Sequence, residues 1–234
     1  MYNRKENIVK KRLLMVGLII CFVFLLPVSA GAAVQNSNVS VTEEYWLMDN
    51  SGLHELTYEE YLECLEPEYY YNTTPNADIT PYADTNATYT QKTAKKYLGT
   101  KNIVSPCAKY PALPTVTTSI TTSATYSKSA SAEAKAKIRS AVQVNLRVSV
   151  AESSTSETGS AAGVTVDGKN GSYAVIEFQP YIAESTGTVT EKVLYNNGWR
   201  TNTYDVTSKH PVVLSNGHTY GLYTVRYSDS FIEI

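Results

Sequence analysis

The residue types best suited to binding a metal ion are sparse in this chain of 234 residues. Its three histidines, His54, His210 and His218, do not have the close spacing of a metal site. His210 and His218 could still meet if their segments form adjacent strands. Because a single histidine on a strand is more often a surface residue than a ligand, the sequence predicts no metal site.

Candidate nucleophiles and general acids lack the surroundings that their chemistry requires. Serine is abundant, but no G-x-S-x-G motif places one on a strand-to-helix elbow. Four glutamates lie close together in the sequence without a partner that would raise one pKa, namely Glu59, Glu60, Glu63 and Glu66. No glycine-rich phosphate loop joins a strand to a helix. We therefore expect no catalytic residue, no cofactor and no enzymatic activity.

The segments that could position a site follow an N-terminal stretch with the three parts of a secretory signal. Five basic residues lie within the first twelve positions, and the uncharged apolar run Leu13–Leu26 follows them. This run is shorter than the ~20 apolar residues of a membrane-spanning helix. Ala30 and Ala32 supply the small side chains of a cleavage site, which predicts cleavage between Ala32 and Ala33. Residues 1–32 are thus a predicted signal peptide, with an uncleaved anchor as the alternative.

Two cysteines, Cys64 and Cys107, remain after the predicted signal peptide. Disulfides persist in the oxidising compartment that secretion implies. A bond between the two would close a loop of about forty residues and stabilise the fold by a few kcal/mol on the chain-entropy account. The sequence therefore offers Cys64–Cys107 as a candidate disulfide, with two free thiols as the alternative.

Charge divides the mature chain unevenly. Residues 33–91 contain eleven Asp or Glu and no Lys or Arg, whereas residues 92–234 contain fifteen Lys or Arg and ten acids. The acidic segment either docks on the more basic one or forms a solvated tail. Since the mature chain is net acidic and phosphate binding requires a dense basic face, nucleic acid is not an expected partner.

The acidic segment 33–68 begins with the signals of a β-hairpin. Glu44–Met48 and Leu53–Leu56 are predicted strands on either side of the turn Asp49-Asn50-Ser51-Gly52. A two-stranded hairpin is only marginally stable alone. We therefore expect this unit to pack on the C-terminal domain or to form a small appendage.

A helix is predicted directly after the hairpin. Thr57 and Glu60 have the spacing of a capping box, and Pro67 marks the end of the helix. Four apolar or aromatic residues would lie on one face of this helix, so the face needs an apolar surface to pack against. They are Tyr58, Tyr61, Leu62 and Leu65.

Residues 69–91 are rich in Asn, Thr and Pro, a composition that is typical of a linker. Their tyrosines are the basis of an alternative, because tyrosine rings can stack on sugars or aromatic ligands. The composition predicts a linker between the acidic segment and a C-terminal domain.

Residues 92–234 are predicted to form a β-rich domain, because turns with Gly and Asn recur at short intervals between apolar stretches. The turns are at residues 157–159, 167–171, 196–198 and 215–217, and the strands between them at 163–166, 172–182, 188–195, 200–206, 211–214 and 218–227. Ala174, Ile176 and Phe178 share the face expected to point inward. We predict a mainly β fold, an antiparallel β-sandwich or open barrel with a short helix, preceded by the hairpin-helix unit.

Two different elements are predicted within residues 130–150. Ser131–Ser140 is rich in Ala, Glu, Lys and Arg, which favour a helix, although residues 130–138 also alternate as a strand does. Val142–Val150 alternates strictly between apolar and polar residues and predicts an amphipathic strand. With a return arm to Val166 it could form a pore-forming hairpin, but half-buried sandwich strands show the same pattern and are far commoner. Membrane contact is therefore not expected.

Residues 115–206 contain an ordered series of segments. A Ser/Thr-rich strand, an Ala-rich segment and the alternating valines precede V-T-V-D-G-K at Val164–Lys169 and Y-A-V-I-E-F-Q-P-Y at Tyr173–Tyr181. In this order they resemble the small secreted β-rich proteins of Gram-positive bacteria. The resemblance implies the fold and the extracellular compartment, and it assigns no activity.

The features of the sequence favour binding over catalysis, because folded sheet, tyrosine and charge asymmetry are present without a reactive cluster. We expect a secreted, non-enzymatic protein that acts as an extracellular binding or interaction module. Its partner would be an unknown extracellular protein, a glycan or a cell surface. The alternatives are a membrane-active, bacteriocin-like toxin and a secreted enzyme whose site is assembled from scattered residues.

Overall fold

The alternating patterns of the sequence correspond to strands in a computed structural model of the chain, which is mainly β with two helices. The structure describes residues 41–71, 86–166 and 172–233. The predicted signal peptide and its cleavage site at Ala32 and Ala33 lie outside the described residues.

The helices and strands are numbered in chain order. Helix α1 is Tyr58–Leu65, helix α2 is Ala132–Leu146, and a 3-10 helix covers Gly159–Ala162. The strands are β1 (Val41–Asp49), β2 (Gly52–Leu56), β3 (Glu68–Tyr71), β4 (Ala87–Leu98), β5 (Asn102–Ile103), β6 (Ala108–Lys109), β7 (Thr121–Ser123), β8 (Thr125–Tyr126), β9 (Ser153–Thr155), β10 (Tyr173–Tyr195), β11 (Gly198–Pro211) and β12 (Gly221–Ser228).

Strand β10, which is 23 residues long, is the centre of the main sheet. Its first part pairs with β12 and its second part with β11 and β4, all antiparallel. The strand order is β2-β1-β12-β10-β11-β8, while β4, β5 and β6 also pair with β10 and β3 pairs with β4. Part of this sheet curls into an antiparallel half-barrel, which confirms the predicted mainly β fold with a short helix.

Opposite faces of β10 contribute to two hydrophobic clusters. Ala174, Ile176 and Phe178 belong to the first, together with Tyr223 and Val225 of β12, which confirms their predicted inward orientation. Tyr181, Ala183 and Val189 lie on the other face of the strand and belong to the second cluster, with Ile138 and Val142 of α2. One strand therefore supplies both cores and links the two parts of the sheet.

The hairpin predicted in the acidic segment is confirmed, and it joins the main sheet. β1 pairs with β2 around the predicted turn and with β12 from Val41–Ser228 to Met48–Gly221. The capping box is present, since the Thr57 side chain accepts from the Glu60 backbone and the Glu60 carboxylate from the Thr57 backbone. The acidic hairpin is thus tied to the C-terminal strand by backbone hydrogen bonds.

Both ends of the predicted linker 69–91 are strands, so the linker prediction is wrong there. β3 pairs with β4, and β4 pairs with β10. In β4 the residues Ala87 and Gln91 are buried, with Tyr89 between them on the same face. Ala87, Tyr89 and Gln91 thus alternate with the period of two that is typical of a strand, although the Asn, Thr and Pro composition of the stretch predicted a linker. Residues 72–85 lie outside the described residues.

The predicted strand Val142–Val150 is wrong, because α2 continues to Leu146. Ile138, Val142 and Leu146 are spaced by four residues and lie on the helix face that packs on the second cluster. Val144, which a strand would have buried beside Val142, is 61% exposed. Arg147 ends the helix in the left-handed region with φ of 53°. The helix predicted over 131–140 is confirmed and is longer than expected, and no arm is left for a pore-forming hairpin.

The predicted strands 172–182 and 188–195 form the single strand β10. Tyr89 and the Thr90 carbonyl lie where a side chain of Gly187 would be, so glycine serves here for close approach within the sheet and does not make a turn. The predicted strand 163–166 is irregular. The predicted turn at 196–198 joins β10 to β11.

Candidate functional site

The candidate disulfide is not formed in the structure, where Cys64 and Cys107 are free thiols. The Cys64 thiol lies beside the Tyr181 hydroxyl, whereas Cys107 precedes Ala108, which pairs with Ala174. Tyr181 and Ala174 are separated by seven residues of β10, or about 23 Å at the rise of a strand. The structure thus shows the alternative that the sequence left open, two free thiols in different surroundings.

Three side chains of the types used in nucleophilic catalysis meet at the β1–β2 turn. The Ser51 Oγ lies 2.6 Å from the Asp49 Oδ1 and 2.8 Å from the His54 Nε2, which is 2.9 Å from the same Oδ1. A catalytic imidazole uses one nitrogen for the carboxylate and the other for the nucleophile. Here one nitrogen faces both groups, so the cluster stabilises the turn and does not activate the serine.

The same turn borders an open cleft of about 410 Å³. The Asn50 side-chain oxygen accepts a hydrogen bond of 2.7 Å from the backbone N–H of Ser215. On the facing wall, the Glu157 carboxylate accepts from the Asn216 amide at 3.0 Å and lies 3.8 Å from the His218 Nε2. These polar groups bind one another, so the cleft is a junction between loops.

His210 is fully buried, and its ring meets the Tyr126 ring edge-on at 5.4 Å. Neither ring nitrogen makes a hydrogen bond, although the Ala151 carbonyl approaches the ring without suitable geometry. Burial lowers the pKa of His210, against the opposing effect of the Glu152 carboxylate. His210 and His218 therefore lie in different surroundings and do not form a joint site. Among the residues that the structure describes, no cluster of three His, Cys, Asp or Glu could hold a metal.

The end of the β10–β11 hairpin carries the most exposed large apolar residues of β10 and β11. Leu194 and Trp199 are directly opposite each other, and they are 62% and 63% exposed. Tyr195, on the other face of the hairpin, is 44% exposed, and the Arg200 guanidinium lies 5.5 Å from its ring centroid. Gly198 closes the turn with φ of 111°, a value that L side chains rarely adopt. We call residues 192–201 the hairpin tip.

The hairpin tip extends past the neighbouring strand. The last residue of β10 that pairs with β4 is Glu191, opposite Ala87, and the Lys192 N–H then donates to the Asn86 carbonyl. The Glu191 carboxylate is fixed by Tyr204, whose hydroxyl donates to it at 2.9 Å. Burial would raise the pKa of Glu191, but the hydrogen bonds from Ser131 and Tyr204 lower it overall. The base of the tip is therefore anchored, while the tip itself extends past the described strand beside it.

One face of the β4–β10–β11 sheet leads directly to the tip, on the side opposite α2. Its side chains are those that alternate with the inward-facing Ala183, Val189 and Val206. We call this surface the outer face, and it is formed by Thr88, Thr90, Lys92, Thr93, Lys95, Glu184, Thr186, Thr188, Thr190, Lys192, Leu194, Trp199, Thr201, Thr203, Asp205, Thr207 and Lys209. It is a hydroxyl-rich surface that ends in an apolar pair.

The polar groups of the outer face are ordered by contacts with one another. The Thr190 and Thr203 hydroxyls are 3.1 Å apart, and the Thr188 hydroxyl donates to the Asp205 carboxylate at 2.7 Å. A threonine hydroxyl has one donor and two acceptor positions, so one such contact leaves capacity for another partner. The face therefore presents hydroxyl groups that are both fixed and able to bind.

A charged group closes the end of the outer face away from the tip. The Glu184 carboxylate lies 3.1 Å from the Lys95 Nζ and 3.5 Å from the Lys209 Nζ, and the Tyr97 hydroxyl donates to it at 3.2 Å. Burial alone would raise the pKa of Glu184, but the two lysines and Tyr97 lower it overall. Tyr69 of β3, which is 57% exposed, is paired with Lys95.

The apolar face predicted for α1 is only partly covered. Tyr61 stacks on Tyr45 with a centroid distance of 3.7 Å. Tyr58, Leu62 and Leu65 are 59%, 43% and 41% exposed. Of the four residues predicted to lie on this face, Tyr61 therefore packs on an aromatic surface, and the other three stay partly exposed to solvent.

The sequence analysis did not predict the outer face or the hairpin tip as binding surfaces. Their signal was a Thr-x-Thr alternation in three stretches, at residues 88–90, 186–190 and 201–203, of which the last two flank the turn at 196–198. No described helix is both long enough and apolar enough to span a membrane. No protein-family model, no curated protein and no solved structure matches this chain.

Proposed function

We propose that the chain is a secreted, non-enzymatic protein that binds an extracellular surface through its hairpin tip. The observation that carries this proposal is the exposure of Leu194 and Trp199, which face each other at the end of a projecting hairpin. Contact with a partner would remove apolar area from water at about 25 cal/mol per Å². Trp and Tyr are also the residue types most enriched at binding surfaces, since each combines an apolar body with a polar group.

The geometry of the polar clusters supports a binding role over a catalytic one. The Asp49, Ser51 and His54 side chains converge on one imidazole nitrogen, and Glu157 is engaged by Asn216. His210 is enclosed by the protein. The first two clusters are therefore engaged within the protein, and the His210 ring is not accessible to a substrate.

Binding to intact cells of the producing organism tests the proposal. The secreted protein, residues 33–234, is fluorescently labelled and its association with washed cells is measured across a concentration series. We expect saturable binding that weakens at least tenfold in a Leu194→Ala, Trp199→Ala double variant. Both residues are solvent-exposed, so the variant should keep its circular dichroism spectrum.

Val144→Ala is the matched control, because Val144 is exposed to the same degree, at 61%, but lies on α2. This variant should bind cells as the wild type does. Undiminished cell binding by the tip double variant would contradict the proposal.

A further inference from the structure

We infer that the outer face is a binding surface for a linear anionic polysaccharide, with Trp199 as its aromatic platform. The inference deepens the proposed function and rests on it, because it assigns a ligand class to the surface that ends in the hairpin tip. It is carried by the exposed aromatic residue, the ordered hydroxyl groups and the charge of this one face.

The shape of the outer face suits an extended chain. Leu194 and Trp199 lie at one end and Glu184 with Lys209 at the other, in the continuous ladder of β10 and β11. Ten residues of β10 separate Glu184 from Leu194, which corresponds to about 33 Å at the rise of a strand. A surface of this length accommodates several consecutive sugar units, whereas a compact small ligand would leave most of it uncovered.

The chemistry of the outer face matches that of a sugar chain. Sugars present hydroxyl groups at their edges and C–H groups on their ring faces. The fixed hydroxyls of Thr188, Thr190 and Thr203 can exchange hydrogen bonds with the sugar hydroxyl groups. The exposed Trp199 ring can stack against the C–H groups of a sugar ring face, as amphipathic aromatic rings do at binding surfaces.

The charge of the outer face favours an anionic chain. Its four lysines, Lys92, Lys95, Lys192 and Lys209, exceed its two carboxylates, Glu184 and Asp205. The Lys92 Nζ lies 2.8 Å from Asp205, and Lys95 and Lys209 both contact Glu184. Lys192, the remaining lysine of this face, lies at the hairpin tip, whereas Arg200 lies with Tyr195 on the other face of the hairpin. This basic surface stands out in a mature chain that is net acidic, and it would attract carboxylate or phosphate groups of the polymer.

The other two classes of occupant fit less well. A lipid surface would accept Leu194 and Trp199, but the threonine rows behind them offer no apolar area to insert, and the apex of the turn is Asn196-Asn197. A protein partner of usual affinity would need an apolar centre to its interface. On the outer face the apolar residues lie at one end.

Affinity electrophoresis of the secreted protein tests the inference. The gels contain polygalacturonate, a phosphate-bearing mannan, or the neutral polymer hydroxyethyl cellulose. We expect retardation by at least one anionic polymer, a tenfold weaker effect in Trp199→Ala, and a severalfold weaker effect in the Thr190→Val, Thr203→Val double variant. Lys192→Gln should weaken retardation most at low salt. The two anionic gels distinguish carboxylate from phosphate recognition.

Phe231→Ala is the matched control, because Phe231 is 59% exposed and lies beside Tyr173, at the opposite end of β10. It should leave retardation unchanged. The inference is overturned if neither anionic polymer retards the protein, if the neutral polymer does so equally, or if both aromatic variants lose the effect alike. It is also overturned if vesicles of phosphatidylglycerol bind the protein through Trp199 while the polymers do not. Cell binding that still depends on Trp199 in any of these cases would leave the proposed function intact.

Discussion

Strand β10 begins with both faces buried and ends with both faces exposed. Residues 174–178 are all buried, including the acidic Glu177, whereas Leu194 and Tyr195 are 62% and 44% exposed. Large apolar side chains occur at both ends, so hydrophobicity alone does not distinguish them. The difference lies in the neighbouring elements. β12 and β5 pair with the first part of β10, and the first cluster packs on one of its faces, whereas the tip extends past β4. Apolar residues at the first end stabilise the fold, and those at the second are available to a partner.

The largest effect on the free energy of unfolding is expected at Phe178, in the buried first part of β10. Its side chain is fully buried, and its ring centroid lies 4.7 Å from that of Tyr223. Phe178→Ala should lower the free energy of unfolding by about 3–5 kcal/mol, because it removes buried apolar area and leaves a cavity. Urea denaturation followed by circular dichroism measures the change. Phe231→Ala is the matched aromatic control. An equal loss of unfolding free energy in both variants would contradict the prediction that buried Phe178 stabilises the fold more than exposed Phe231.

A smaller, pH-dependent effect is predicted at His210, which pairs with Ala183 in the buried middle of β10. The unfolded chain takes up a proton at this histidine near the ordinary pKa of about 6.5, whereas burial lowers the pKa of His210 in the folded state. The unfolded state therefore binds more protons below pH 6.5. Stability should fall as the pH decreases from 6.5 toward the folded pKa, by at most about 1.4 kcal/mol per pH unit from this group.

His210→Phe should remove this part of the pH dependence. Neither ring nitrogen makes a hydrogen bond that the substitution would break. Thermal unfolding from pH 7.5 to 5 measures the effect. His218→Gln alters a partly exposed histidine and is the control. The prediction fails if the His210→Phe slope equals that of the wild type.

Local signals in the sequence were sufficient for elements that are stabilised locally. The capping box at Thr57 and Glu60 gives the start of α1, because its hydrogen bonds lie within four residues. The end of α2 could not be predicted in this way. Val142 and Leu146 fit a strand by their alternation and a helix by their spacing from Ile138, and packing against the second cluster decides in favour of the helix.

The candidate site was less predictable than the fold. Thr188, Thr190 and Thr203 share a surface only because of the β10–β11 register. It places Thr203 opposite Thr190, and Thr188 lies two residues from Thr190 on the same face of β10. β4 joins that surface from a stretch whose composition predicted a linker. Exposure also depends on where neighbouring strands end, and the sequence does not specify that Ala87 is the first paired residue of β4 beside Glu191.

The smallest effect on stability is predicted at the hairpin tip. Leu194→Ala should change the free energy of unfolding by less than about 0.5 kcal/mol, because Leu194 is already 62% exposed and the unfolded chain gains little further apolar exposure there. Leu222→Ala is the same chemical change at a fully buried position of β12 and should cost about 2–5 kcal/mol. Urea denaturation of the two variants side by side measures the difference. If Leu194→Ala proved as costly as Leu222→Ala, the tip would be part of the structural core, and its exposed residues would no longer indicate a binding surface.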